Sequence, residues 1–181
     1  AFDFGGFKAN IAVEGGYNEF YRDGLMRKGL FAGLDENGRE IVVDGKNLTT
    51  YDASGKVITS KGKSEVQNFW TYSAKLGLQY HFGGGHRVYA NGGYFNDAPT
   101  FSQSFISPRT RNSVVPNLET IKTVSADLNY QYSNNGYNVR VTGFYTKIMD
   151  QSDMMSFYDD SQNSFTNFAM CGIDQRHAGV E

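Results

Sequence analysis

FWTYSAKLGLQYHF, residues 69–82, presents two different surfaces in alternation. Trp70, Tyr72, Ala74, Leu76, Leu78, Tyr80 and Phe82 fall on one side of an extended chain, and Thr71, Ser73, Lys75, Gln79 and His81 on the other, because successive side chains of a strand point to opposite faces. The apolar side is also ordered along its length, with rings at both ends and aliphatic groups between them. A packed core does not need that order, whereas Trp and Tyr collect at the two interfaces of a membrane. The rings are about 8 to 12 residues apart, or roughly 26 to 40 Å at about 3.3 Å per residue. A tilt of about 40° reduces this to roughly 20 to 30 Å, which brackets the apolar band of about 25 Å on a barrel wall.

Other segments alternate in the same way. FKANIAVEGGYNEFY (7–21) sets Phe7, Ala9, Ile11, Val13 and Tyr17 against Lys8, Asn10, Glu14 and Asn18, and RVYANGGYFN (87–96) sets Val88, Ala90 and Tyr94 against Arg87 and Asn91. From Val124 to Asp150 two strands flank the turn SNNG. Val124, Ala126, Leu128, Tyr130 and Tyr132, then Tyr137, Val139, Val141 and Tyr145, form the apolar face; Asp127, Arg140, Asn and Gln lie opposite. SFTNFAMCGI (164–173) reads as a weaker sixth strand, and RHAGVE (176–181) as the start of a seventh.

Tight links rich in Gly and Asn, residues that tolerate positive φ, are expected at 83–86 and 133–136, with another at Asp174–Gln175. Long connections are expected from Arg22 to Asn68, Asp97 to Lys122 and Asp150 to Asn163. Short and long links therefore alternate, so all tight turns lie at one end of the strands and all long loops at the other. Short periplasmic turns with long external loops are the pattern of outer-membrane barrels. Within the first long loop, DENG and DASG mark turns of an external hairpin. Their spacing departs from the calcium-loop pattern.

Composition agrees with this reading. Gly 21, Tyr 12 and Phe 14 against Pro 3 favour strands joined by polar loops. No apolar run reaches the roughly 20 residues of a membrane helix, and a mean hydropathy of -0.49 is compatible with a barrel, where only alternate residues meet lipid. A formal charge of -2 predicts no nucleic-acid partner. Cys171 is the single cysteine, which forbids an internal disulfide and reads as a small strand residue. The opening AFDFGG has no initiator Met or signal pattern, and AGVE stops in mid-strand, so the chain is expected to be a piece of a larger protein.

The later half resembles a known family. SFISPRTRNSVVPNLETIKTVSADLNYQYSNNGYNVRVTGFYTKIMDQ (104–151) and FYDDSQNSFTNFAMCGIDQRHAGVE (157–181) resemble the wall of TonB-dependent outer-membrane receptors, especially those of the Bacteroidetes type. The matching elements are Pro116-Asn117-Leu118-Glu119, Val141 to Thr146 with Ile148 and Asp150, Asn167, and the closing Gly179-Val180-Glu181. The resemblance implies an all-β fold of antiparallel up-and-down strands, forming part of a transmembrane β-barrel wall with long extracellular loops. It further implies a large barrel with an N-terminal plug in the cell outer membrane, importing a nutrient ligand with energy from TonB. The expected partners are outer-membrane lipid, the TonB complex acting through an N-terminal region, the nutrient and a surface lipoprotein. Residues 1–181 are then a partial barrel domain of about six strands and the start of a seventh, without plug or barrel C-terminus. The alternative is a soluble β-rich ligand- or carbohydrate-binding module.

No enzymatic constellation stands out, and no catalytic, cofactor-binding or metal residues are expected. His81, His86 and His177 are separated in the sequence and lie near expected turns. GGGH lacks the spacing of a phosphate loop. Asp150, Asp153, Asp159 and Asp160 frame a loop where a solvated surface is the simpler account, with calcium the alternative. Arg109 and Arg111 in SPRTRN offer guanidinium forks for an anion, although structural pairing with the wall or neighbouring loops is the favoured account. Phe101, Phe105, Phe157 and Tyr158 are loop aromatics suited to stacking on a ligand or to packing the loops. A lipid-phase label introduced along residues 74–79 should react at Leu76 and Leu78; reaction at Lys75 and Gln79 instead would sink the membrane reading.

Overall fold

The computed structural model describes residues 2–25, 39, 42–43, 46–47, 55, 61–107, 112–161 and 163–181. In chain order the elements are β1 (Phe2–Phe4), β2 (Phe7–Phe20), β3 (Asp23–Leu25), β4 (Val42–Val43), β5 (Lys46–Asn47), β6 (Lys61–Lys63), β7 (Gln67–Gly83), β8 (His86–Asp97), the single helical turn α1 (Phe101–Ser104), β9 (Ile121–Asn134), β10 (Tyr137–Asp159) and β11 (Ser164–Val180). Seven of these form one sheet in the order β1-β2-β7-β8-β9-β10-β11, and every pairing is antiparallel. The fold is therefore all-β and up-and-down. β3 and β6 prolong the β2–β7 pair beyond a join at Arg22 and Ser64, where Ser64 N donates to the Arg22 carbonyl at 2.7 Å and Arg22 N donates to the Ser64 hydroxyl at 2.8 Å. The turns expected at DENG and DASG lie outside the described residues except for Gly55, at φ +78°; the hairpin described in that loop is β4–β5.

The tight turns do gather at one end. Gly5–Gly6, Gly84–Gly85 and Asn135–Gly136 lie side by side: the Gly6 carbonyl accepts from His81 N at 2.9 Å, and the Gly85 carbonyl from Ser133 N at 2.9 Å. Two expected boundaries are corrected. Asp174 and Gln175 make no turn but lie inside β11, so SFTNFAMCGI and RHAGVE are one 17-residue strand. Neither residue has a positive φ, and each is used across the ladder, Asp174 by Lys147 at 3.2 Å and Gln175 by Gln151 at 2.7 Å. The stretch from Asp150 onward is likewise not an irregular loop, because β10 continues to Asp159 and pairs with β11 from Ser164.

Two bulges interrupt that long hairpin. From Ile148 to Gln151 the partner register advances from Gln175 only to Ile173, and from Gln151 to Asp153 it advances from Ile173 to Met170. β10 thus gains one residue and β11 gains one back. Asp150 (φ +60°) and Gly172 (φ +72°) take the left-handed conformation at these points. An extra residue on one strand would reverse the facing of everything beyond it; the second restores it.

Burial is inverted relative to a water-soluble domain. Among the described residues only Phe105 and Val115 are buried hydrophobics, whereas Asn96, Asn129, Thr142 and Ser152 are buried polar residues. The ordered apolar face is open: Trp70 is 73 % exposed, Leu76 44 % and Phe82 62 %. That argues against a soluble module, which would seal this face.

The ladder register also shows how the apolar band crosses the sheet. Val13, Ala74, Tyr94, Val124, Lys147 and Arg176 form one continuous row of Cα partners. It begins aliphatic and ends cationic. At the long-loop end the band closes on β2 at Tyr17, four residues past that row, and on β10 at the row itself, with Lys147. At the tight-turn end it closes on β2 at Phe7, whose row passes through Tyr80, Val88 and Tyr130 to Val141, but on β10 at Tyr137, four residues further on. Both edges drift the same way by about one residue per strand. At about 3.3 Å per residue and about 4.8 Å between strands, this corresponds to strands inclined by roughly 35°, within the range of barrel walls.

The tight turns make a sharp test. A Cβ on Gly85 (φ +86°) would collide with the Ser133 carbonyl oxygen, whereas Gly136 (φ +93°) has open space around it. Gly85→Ala should therefore cost well over 2 kcal/mol, and Gly136→Ala only about 1 kcal/mol, the conformational part, as read from urea midpoints of the folded protein in lipid.

Candidate functional site

The polar face of the sheet is a hydrogen-bonded network. Asn91 donates to Asp127 at 2.9 Å, Asn129 donates to Asp127 as well, Thr142 donates to the Asn129 side-chain oxygen at 2.7 Å, and Arg140 Nε donates to Thr142 at 3.1 Å. The chain of contacts links β8, β9 and β10. Asn129 is only 1 % exposed, so its amide is satisfied where water does not reach. Beside this ladder a concavity of about 350 Å³ is lined by Asn10, Lys75, Asn91, Phe95, Ser125 and Asp127. A neighbouring one of about 260 Å³ shares Lys75 and Phe95 and adds Glu14, Ser73 and Asp97. Glycines give the long side chains room: a Cβ at Gly77 would collide with the Asn10 amide, and one at Gly93 with the Phe95 ring. Lys75 Nζ lies 5.2 Å from the centre of that ring. Charges of both signs share this face, with Lys75 beside Glu14, Asp97 and Asp127.

An aromatic cluster stands on the same face at the long-loop end. Phe20 stacks with Phe69 at 6.0 Å between centroids, and Phe101 bridges Phe20 and Phe105 at 6.5 Å and 4.7 Å. The loop carrying Phe101 is pinned by a capping box, Thr100 with Gln103, and by Gln103 Nε2 donating to the Ser152 carbonyl at 3.0 Å. Beneath it Phe105 and Val115 form the small apolar core, closed by Val115 N donating to the Ser104 carbonyl at 2.9 Å. Phe105 therefore packs the loop and is not available to a ligand, whereas the Phe101 ring is 48 % exposed. Phe157 and Tyr158 lie on the protruding part of β10 and are exposed.

The remaining residues singled out by the sequence are not brought together. His81 contacts Gln79 on the polar face, and His86 Nδ1 lies 2.7 Å from Tyr130 OH on the apolar one. His177 sits within β11, away from any turn, correcting the expectation that each histidine lies near one. Asp150 is taken by Lys122 at 2.7 Å, Asp153 accepts from Met154 N, and Asp159 accepts from Ser161. Among the described residues no three His, Cys, Asp or Glu side chains converge to hold a metal. Cys171 is exposed, its Sγ 3.5 Å from the Pro116 carbonyl. Arg109 and Arg111 lie outside the described residues.

A family model described as TonB dependent receptor-like, beta-barrel, matches residues 39–181. The chain belongs to this family. No curated protein and no solved structure matches it. As a TonB-dependent receptor barrel, the chain is part of an outer-membrane receptor and transporter family, whose members are transporters and not enzymes.

The residues that carried the resemblance prove to be builders of the wall. Asn117 takes φ +55° after Pro116, the arrangement of a tight turn that asparagine tolerates. Thr142 is the buried link of the polar ladder, Phe144 covers Gly179 across the β10–β11 pair, and Asp150 forms the bulge. Asn167 accepts from Ser156 on the facing strand. Sequence reasoning missed this network because its members come from three strands. The polar alternation was visible, but the partners were not. Asn129→Ala strips Asp127 and Thr142 of a partner and should cost about 1 to 3 kcal/mol, while Asn138→Ala, which loses one exposed bond to Gln131, should stay within about 0.5 kcal/mol. Unfolding midpoints of the two variants in lipid check this.

Proposed function

We propose that this chain is wall of a receptor that binds a nutrient at its long-loop mouth and passes it inward along the polar face, with energy delivered by TonB. The observation that carries the proposal is the inverted polarity of the sheet, an open apolar face backed by a satisfied polar one, in a chain of the TonB-dependent receptor family. The mouth supports the binding half of the reading, because the Phe101 ring is exposed above a cluster that holds it in place. Mixed charge and small cavities on the polar face support passage without chemistry.

The receptor is of the Bacteroidetes type, set in the outer membrane with its tight turns in the periplasm. Its complete form is a barrel of 22 strands closed by an N-terminal plug, of which residues 1–181 supply part of the wall, and a surface lipoprotein works with it at the mouth. These features follow from the resemblance of residues 104–181. Cells that depend on the complete receptor for a limiting nutrient should lose uptake, but not surface binding, when a protonophore removes the energy supply. Phe101→Ala should weaken binding by about tenfold or more. Uptake that continues unchanged without that energy source would exclude the TonB-coupled reading.

A further inference from the structure

The charges of the polar face are graded along the strands. Toward the long-loop end Glu14, Asp97 and Asp127 stand around Lys75. Toward the tight-turn end the cations are Lys8, which Asp3 holds at 3.2 Å, and then Arg87 and Arg140. Arg87, Gln131 and Arg140 are consecutive partners in one ladder row, and His81 extends that row on β7. Both strands that flank Arg87 are in place, and its neighbours on this face, His81, Tyr89 and Gln131, offer it no carboxylate. Glu181 lies one row above Arg140, beside Thr142. The two arginines are exposed, and among the described residues neither forms an ion pair.

Arg140 is held in position by its Nε, which donates to Thr142 at 3.1 Å, and Thr142 is fixed in turn by the buried Asn129. The terminal nitrogens of its guanidinium stay uncommitted. Arg87 and Arg140 start from Cα atoms two strand spacings apart, about 10 Å, so both forks can reach one oxyanion above Gln131. An anion moving from the mouth to the tight-turn end leaves a surface where carboxylates predominate and arrives where guanidiniums do. Its energy falls along that route, whereas that of a cation rises.

We propose that Arg87 and Arg140 form an oxyanion site at the inner end of the polar face, and that the imported nutrient carries a carboxylate or phosphate group. The inference rests on the polar face being the route of passage.

The test uses the complete outer-membrane protein that carries this chain, in phosphatidylcholine nanodiscs, titrated calorimetrically with citrate and with pyrophosphate. The parent should bind at least one of them, the tighter of the two marking the nutrient's group as carboxylate or phosphate. Arg87→Gln and Arg140→Gln should each weaken that binding by about tenfold, and Arg87→Lys, which keeps the charge but loses the fork, by about threefold. Phe101→Ala at the mouth should leave it unchanged. A parent that binds neither anion overturns the proposal, and is the result expected if a carboxylate elsewhere in the complete protein already fills the forks. Glutamine variants that bind like the parent, or binding lost with Phe101→Ala, overturn it as well. The Arg87→Lys measurement keeps the test readable if the glutamine variants fail to assemble. Uptake that ignores the energy supply counts against the TonB-coupled reading and leaves these titrations unaffected, so the two failures are distinct.

Discussion

Peptide groups that enter hydrocarbon must find their partners within the protein, because no water is there to replace them. The long antiparallel ladder from β2 to β11 meets that demand, and the facing of every side chain follows from its register. Once the backbone is paired, alternation has to separate the two environments. Trp70, Leu76 and Phe82 go to one side, and Lys75, Asp127 and Arg140 go to the other. Hydrophobic burial, the usual source of stability, is almost lacking within the sheet. Lipid supplies outside what a second layer would supply in a soluble sandwich.

The polar side has to be stable without an apolar core, and it does so by closing its hydrogen bonds. Asn129 and Thr142 are buried side chains that satisfy each other, and Asp127 collects two amides. A partly satisfied network would be worse than none, so each member depends on its neighbours' register. Glycines at 77, 93 and 179 belong to the same economy of space, each vacating a position over which Asn10, Phe95 or Phe144 can lie.

Much of the wall was legible in the sequence, since a period of two survives even where the average hydropathy is low. The aromatic edges of β7 and the SNNG turn came directly from residue type. Elements that depend on a partner were not legible. β1 has three residues, too few to show a period. Asp174 and Gln175 look like a turn in isolation and become strand residues because Lys147 and Gln151 stand across from them. The bulges at Asp150 and Gly172 break the alternation, so the strands read as ending there. Of the mouth, the loop aromatics could be named, but only the fold separates Phe101, which is open, from Phe105, which is sealed.

The paired bulges have a meaning for how such a wall diversifies. Because one extra residue on β10 is matched by one on β11, the protruding hairpin beyond Gln151 and Ile173 keeps the facing of the wall below it. A hairpin of different length or sequence joined at that seam inherits the correct orientation without any change to the membrane-facing rows. The seam lets selection redraw what the receptor presents to the outside while the part that must satisfy lipid stays constant.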